Sequence, residues 1–230
     1  MVARILALDT SADACSVALQ TDQQVISRFE IAPRKHTQLL LPMVDAVMQE
    51  SGLKFEQLDA LAFGRGPGSF AGIRIATGAA QGLALANDTP MIGISTLETI
   101  ALSHFLEDRT CDRVLAALDA RMDEIYWACF ERIDGFPVAL TNERVDPPAE
   151  VISDNSFLDF DLVGSGVRYL DQMPQQTQSQ MRQFADTVMP DARVMLRLAS
   201  KKWAIGDTLA IEEALPVYLR QGSWKKRNEQ

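Results

Sequence analysis

The chain has 230 residues, 47% of them hydrophobic, enough for one large core or two of about 100 residues each. Its formal net charge is −9 and its pI near 4.8, which argues against a broad phosphate-binding surface, because nucleic-acid affinity rests on Lys and Arg displacing counterions. No apolar run approaches the roughly 20 residues of a membrane span, and the one before Asp9 is too short for a signal-peptide core, so a cytoplasmic protein is expected.

In chain order, Arg4 to Leu8 reads as an apolar strand ending at Asp9, and Thr10 to Asp13 as a polar turn. Ala14 to Leu19 and Val25 to Ile31 follow as two more strands, giving an antiparallel meander. Arg34 to Glu50 has helical apolar spacing at Leu39, Leu40, Met43, Val44, Val47 and Met48, with Gly52 at the helix stop. Leu58 to Phe63 is a buried strand, Gly64 to Gly72 a glycine-rich loop, and Ile73 to Asn87 a second helix. Met91 to Ile94 then makes a strand and Leu97 to Leu106 a third helix.

Shifting the sequence by about 110 residues lays Ala7-Leu8-Asp9 over Ala117-Leu118-Asp119, and Asp13 over Asp123. Each copy is an apolar strand, an Asp, a polar turn closed by Asp, and a second apolar strand. Two related α/β lobes with a cleft between them are expected, residues 1–106 and 107–230, the last residues packing back on the first lobe. Lobes that open with a meander and an acidic first turn resemble the actin, sugar-kinase and heat-shock ATPase superfamily.

In that superfamily the first turn of each lobe holds nucleotide phosphates, which requires open backbone N–H groups. Asp9-Thr10-Ser11 is small and hydroxyl-rich. It could lie beside a nucleotide, with Asp9 positioning a hydrated metal ion, or it could simply close a hairpin. Asp119 to Asp123 has no glycine, and Arg121 and Met122 add bulk, so a two-sided phosphate clamp is damaged there.

Gly64 to Gly72 fits neither a Walker loop nor a dinucleotide fingerprint. The helix after it carries Gly78, Gly82 and Ala86 at intervals of four. Glycine within a helix costs about 1 kcal/mol relative to alanine, so a close approach must compensate, either to the helix's own sheet or to another subunit. The apolar spread of the preceding helix favours a subunit.

Cys15, Cys111 and Cys129 read as buried reduced thiols. His36 and His104 fall on different helices, and no ordinary zinc site or nucleophile elbow is evident. The basic run Lys225-Lys226-Arg227 beside Trp224 reads as a solvated tail or as a contact to tRNA or an acidic partner.

Ile5 to Ser11, the Gly64 to Ala76 run, Asp119-Ala120-Arg121 and Pro216-Val217-Tyr218-Leu219-Arg220 together resemble the TsaB family, also called YeaZ. The resemblance implies an actin-like (ASKHA, ribonuclease H-like) duplicated α/β fold. It also implies a non-catalytic partner of the paralogue TsaD, which transfers a threonylcarbamoyl group to the adenosine beside the anticodon of tRNA, with the ATPase TsaE joining them. No cofactor is then expected to be held tightly by this chain; ATP or ADP and a divalent metal ion belong to the partner subunits. Self-association and TsaD binding would share one face, formed by His36, Leu39, Leu40, Met43, Val44 and Val47 of the first helix. Ile75, Gly78, Ala79, Gly82 and Ala86 would complete it from the second. Thr96 and Ile100 stand where the paralogue has its metal-binding histidines. A degenerate actin-fold ATPase or kinase acting alone is the alternative.

Overall fold

The computed structural model describes residues 2–151 and 158–220. Strands β1 (Ile5–Asp9), β2 (Ala14–Gln20) and β3 (Val25–Ile31) form the expected meander. Helix α1 (His36–Ser51) ends where Gly52 turns to φ 69° and its N–H returns to the Gln49 carbonyl; only glycine adopts that geometry without cost. Strand β4 (Ala60–Gly66), α2 (Phe70–Leu85) and β5 (Met91–Ser95) complete a five-stranded sheet in the order β3-β2-β1-β4-β5. The glycine-rich stretch is therefore only partly a loop: β4 runs on to Gly66, and α2 starts at Phe70 because the Ser69 hydroxyl caps the Gly72 N–H.

Helix α3 (Thr96–Glu107) leads into the second half: β6 (Arg113–Arg121), β7 (Glu124–Ile133), β8 (Phe136–Ala139), β9 (Arg144–Asp146), β10 (Phe160–Val163), α4 (Gln175–Gln180), β11 (Met181–Ala185) and α5 (Ala192–Ala204). The second sheet runs β11-β10-β6-β7-β8, with β9 also on β7. Its first two strands are antiparallel, and the next two join in parallel, as in the first sheet. The repeat is thus one of topology as well as sequence.

Both sheets are covered on both faces, so their central strands are apolar throughout rather than alternating. Leu6 and Leu8 of β1 face α1 and α2, whereas Ile5 and Ala7 face α5. In β6, Val114 and Ala116 face α3, while Leu115 and Ala117 face a second core holding Trp127 and Phe160. The helices cross between halves: α3 covers the second sheet and α5 covers the first. No helix among the described residues is long and apolar enough to cross a membrane.

Candidate functional site

Two sequence motifs 60 residues apart meet at the carboxyl end of β1, in a cleft of about 1370 Å³ between the sheets. The glycine run lies directly on the Asp9–Ser11 turn. A β-carbon on Gly64 would stand 1.9 Å from Asp9 Oδ2, one on Gly68 2.3 Å from the Ser11 carbonyl, and one on Gly72 1.9 Å from the Thr10 carbonyl. The Thr10 hydroxyl donates to the Gly72 carbonyl at 2.7 Å, and the Ser69 N–H to the Ser11 carbonyl at 2.7 Å.

Asp9 and Thr10 are fully buried and Ser11 is 1% exposed. The Asp9 carboxylate accepts from the Ser11 N–H at 3.0 Å and from the Ser11 hydroxyl at 2.9 Å. Burial pushes its pKa up to about 6, against the Ser11 hydrogen bonds, which lower it; nearby Asp191 adds to the rise. Both hydroxyls expected beside a nucleotide are thus engaged inside the lobe. Ser11 contributes to the cleft wall, but the turn offers neither a free hydroxyl nor a hydrated carboxylate.

The opposite turn is occupied in another way. Arg121, Met122 and Asp123 all have positive φ (62°, 58° and 57°), a costly run for residues with side chains. Asp119 accepts from the Arg121 N–H at 2.8 Å, from the Arg121 and Arg168 guanidinium groups at 3.1 Å, and from the Tyr169 hydroxyl at 3.1 Å. Arg220 donates to the Ala120 and Arg121 carbonyls at 3.1 and 3.2 Å and pairs with Glu124 through Nε at 2.9 Å. Three residues earlier the Val217 N–H donates to the Arg65 carbonyl at 2.8 Å. The Pro216–Arg220 motif therefore clasps the strained turn of one lobe to β4 of the other.

Sequence reasoning missed the second lobe's own glycine contact. Gly164 and Gly166 follow β10 and lie on Ala117, where a β-carbon at either would come within 2.5 Å of it. The Ser165 hydroxyl between them accepts the Asp119 N–H at 3.0 Å. The Gly164-Ser165-Gly166 run directly after the apolar Leu162-Val163 is the available signal.

The expected docking face divides. Leu40 and Val44 are 1% exposed and Val47 is 0%, all three packed among Leu8, Val17 and Phe63. They belong to the lobe's own core and are unavailable to a partner, a correction to the expectation. His36 is also buried, lining the cleft, with its Nε2 lacking a partner among the described residues. Leu39, Met43, Ile75 and Ala79 remain half-exposed, and Gly78, Gly82 and Ala86 are exposed. A β-carbon on Gly78 or Gly82 would meet nothing within 4 Å.

Thr96 and Ile100 are fully buried on α3; Ile100 packs on the second sheet, and the Thr96 hydroxyl has no partner among the described residues. The structure does gather one grouping that the sequence concealed: His104, Cys111 and Asp161, all buried. His104 Nε2 lies 2.7 Å from Asp161, which also accepts from Arg182 Nε at 3.0 Å and from Gln183 at 2.9 Å. Burial raises the Asp161 pKa, but hydrogen bonds from Gln183, His104, Arg182 and Cys111 outweigh it and hold the carboxyl below its ordinary value. Burial also pushes the Cys111 thiol up to about 12. The Asp161 carboxylate is already held by a guanidinium and an amide, and the cluster stitches α3 to β10 and β11. Cys15 and Cys129 are buried in β2 and β7, outside any disulfide. The Trp224 to Arg227 run lies outside the described residues.

Two topologically equivalent sheets, each opening with a meander and facing one cleft, define a duplicated actin-like α/β protein. The family model described as "TsaD: tRNA N6-adenosine threonylcarbamoyltransferase" matches residues 21–207. The chain is 44% identical over 227 residues to the "tRNA threonylcarbamoyladenosine biosynthesis protein TsaB" of Escherichia coli K12, covering 97% of each chain. Its identity to the protein of the same description from Haemophilus influenzae Rd is 39%, over 96% of each. The solved structure of YeaZ from Pseudomonas aeruginosa superposes with a TM-score of 0.87 at 42% identity, over 94% of this chain and all of that one. The chain belongs to the TsaB family.

Proposed function

We propose that the chain acts in forming threonylcarbamoyladenosine at position 37 of tRNA as a non-catalytic subunit that docks on TsaD through the exposed face of α1 and α2, with TsaE joining the pair. The carrying observation is the open space above Gly78 and Gly82. Both glycines sit inside a helix, where each costs about 1 kcal/mol, and nothing in their own lobe requires them to be glycine. A second chain laid against the row supplies the missing reason. Chemistry by this chain alone is disfavoured by the internally bonded Asp9–Ser11 turn, the saturated Asp119 and the apolar setting of Thr96 and Ile100. ATP or ADP and a divalent metal ion are assigned to the partner subunits, and self-association would compete for the same face.

The test mixes purified chain, TsaD, TsaE, tRNA and the enzyme that forms threonylcarbamoyl-adenylate. Modification is expected only when this chain is present. Gly78→Leu and Gly82→Leu should each abolish co-elution with TsaD while circular dichroism stays unchanged. Turnover of ATP by the isolated chain at about 1 per second or faster would overturn the proposal.

A further inference from the structure

The exposed row on α2 extends beyond the glycines. Phe70, Arg74, Gly78 and Gly82 follow at intervals of four, so they lie along one side of the helix, and all four are exposed. At the cleft end of this row the Arg74 guanidinium carbon stands 3.3 Å from the Phe70 ring centroid and 4.9 Å from that of Tyr218. The two ring centroids are 6.0 Å apart. Phe70 is 67% exposed, a large apolar side chain left in water. Three other arginines around the cleft have carboxylates: Arg121 and Arg168 share Asp119, and Arg220 holds Glu124. Arg74 makes no ion pair or hydrogen bond among the described residues. A guanidinium held against two rings is already ordered, while its edge keeps several N–H donors for a planar acceptor.

We propose that Arg74 is the charged anchor of the docking face and takes a carboxylate of the partner subunit where that subunit crosses the glycine row. This rests on the docking reading given above and adds the chemistry the partner must bring. Exposed aromatic rings around an arginine have the composition of an interface hot spot. Continuity with Gly78 and Gly82 on the same helix side places the pair at the edge of that contact. A protein carboxylate is favoured over a nucleic-acid phosphate because the chain as a whole carries a net charge of −9, which disfavours a polyanion, and because Arg74 continues the glycine row of the docking face. Tyr218 reaches the stack from the Pro216–Arg220 motif, so that motif is a positioning element for the anchor.

The experiment measures the affinity of the full chain for TsaD by calorimetry at low and high NaCl. Arg74→Gln should weaken binding by about tenfold or more and flatten its salt dependence. Arg74→Lys should recover only part of the loss, because an ammonium lacks the planar fork. Tyr218→Ala should weaken binding while Tyr218→Phe retains it. Gly82→Leu, measured alongside, tests the docking reading itself. If Gly82→Leu abolishes binding but Arg74→Gln binds with wild-type affinity and salt slope, the anchor is overturned and the docking face stands. If Gly82→Leu binds unchanged, the docking reading falls and the anchor with it. Should Arg74→Gln instead impair only self-association, or only retention of tRNA, a partner carboxylate is likewise overturned.

Discussion

Asp9 shows how one residue type can satisfy two different demands of a sequence pattern. A carboxylate after an apolar strand suits a metal or phosphate site, but here it is buried and binds the turn that follows it. The cost is visible in its pKa of about 6, raised chiefly by burial from 3.8. Below about pH 4 the group is neutral in both folded and unfolded chains. As pH rises, the unfolded chain ionises first, so stability falls until the folded carboxyl also ionises near pH 6, and is level above. A rise of about 2 units corresponds to roughly 3 kcal/mol across that window. Asp9→Asn keeps an acceptor for the Ser11 N–H and removes the charge. Urea unfolding should show the variant gaining on the wild type between about pH 4 and pH 7. An unchanged difference across that range would mean that Asp9 is hydrated in the folded chain.

At the scale of the element, α2 carries glycines of two kinds that the sequence displays alike. Gly72 touches the Thr10 carbonyl, and Gly64, on the preceding strand β4, touches Asp9; Gly78 and Gly82 touch nothing. Gly78→Ala and Gly82→Ala should each raise the stability of the isolated chain by up to about 1 kcal/mol, read as a shift of the denaturation midpoint. Gly64→Ala and Gly72→Ala should lower it, because a methyl group cannot share space with a carboxylate or a carbonyl. The contrast explains what could be read in advance. Apolar runs bounded by polar turns mark β1 and β2, alternation marks β3, helical spacing marks α1, and Gly52 marks its stop. The start of α2 was missed because glycines carry no side-chain pattern, although Ser69 offered a cap. Leu40, Val44 and Val47 were assigned to a partner because a helix apolar around much of its girth does not reveal which stripe faces its own sheet. That the glycine run would settle on the Asp9 turn is a contact between residues about 60 positions apart, and no local pattern encodes it.

At the scale of the molecule the duplication and the packing disagree about where one half ends. The repeat begins again at β6, yet α3, from the first half, seals Val114, Ala116 and Phe130 of the second sheet. In return α5 seals Ile5, Ala7, Ile92 and Ile94 of the first. Each sheet therefore depends on a helix encoded by the other half, and the Pro216–Arg220 clasp joins them again. Such exchange couples the halves into one folding unit, since losing either helix exposes a core face. A fragment of residues 1–106 should lack a cooperative unfolding transition, and so should 107–230. Co-expression of the two should recover a complex with near-native circular dichroism. In the intact chain, Trp127 is buried in the second lobe and Trp203 lies on α5 against the first sheet. With Trp224→Phe in the background, Trp127→Phe and Trp203→Phe variants, each followed by the one tryptophan that remains, should give unfolding transitions that coincide with those from circular dichroism. Separate transitions, or a cooperative transition from residues 1–106 alone, would mean that α5 is dispensable to the first lobe and that its packing there adds little to the stability of that core.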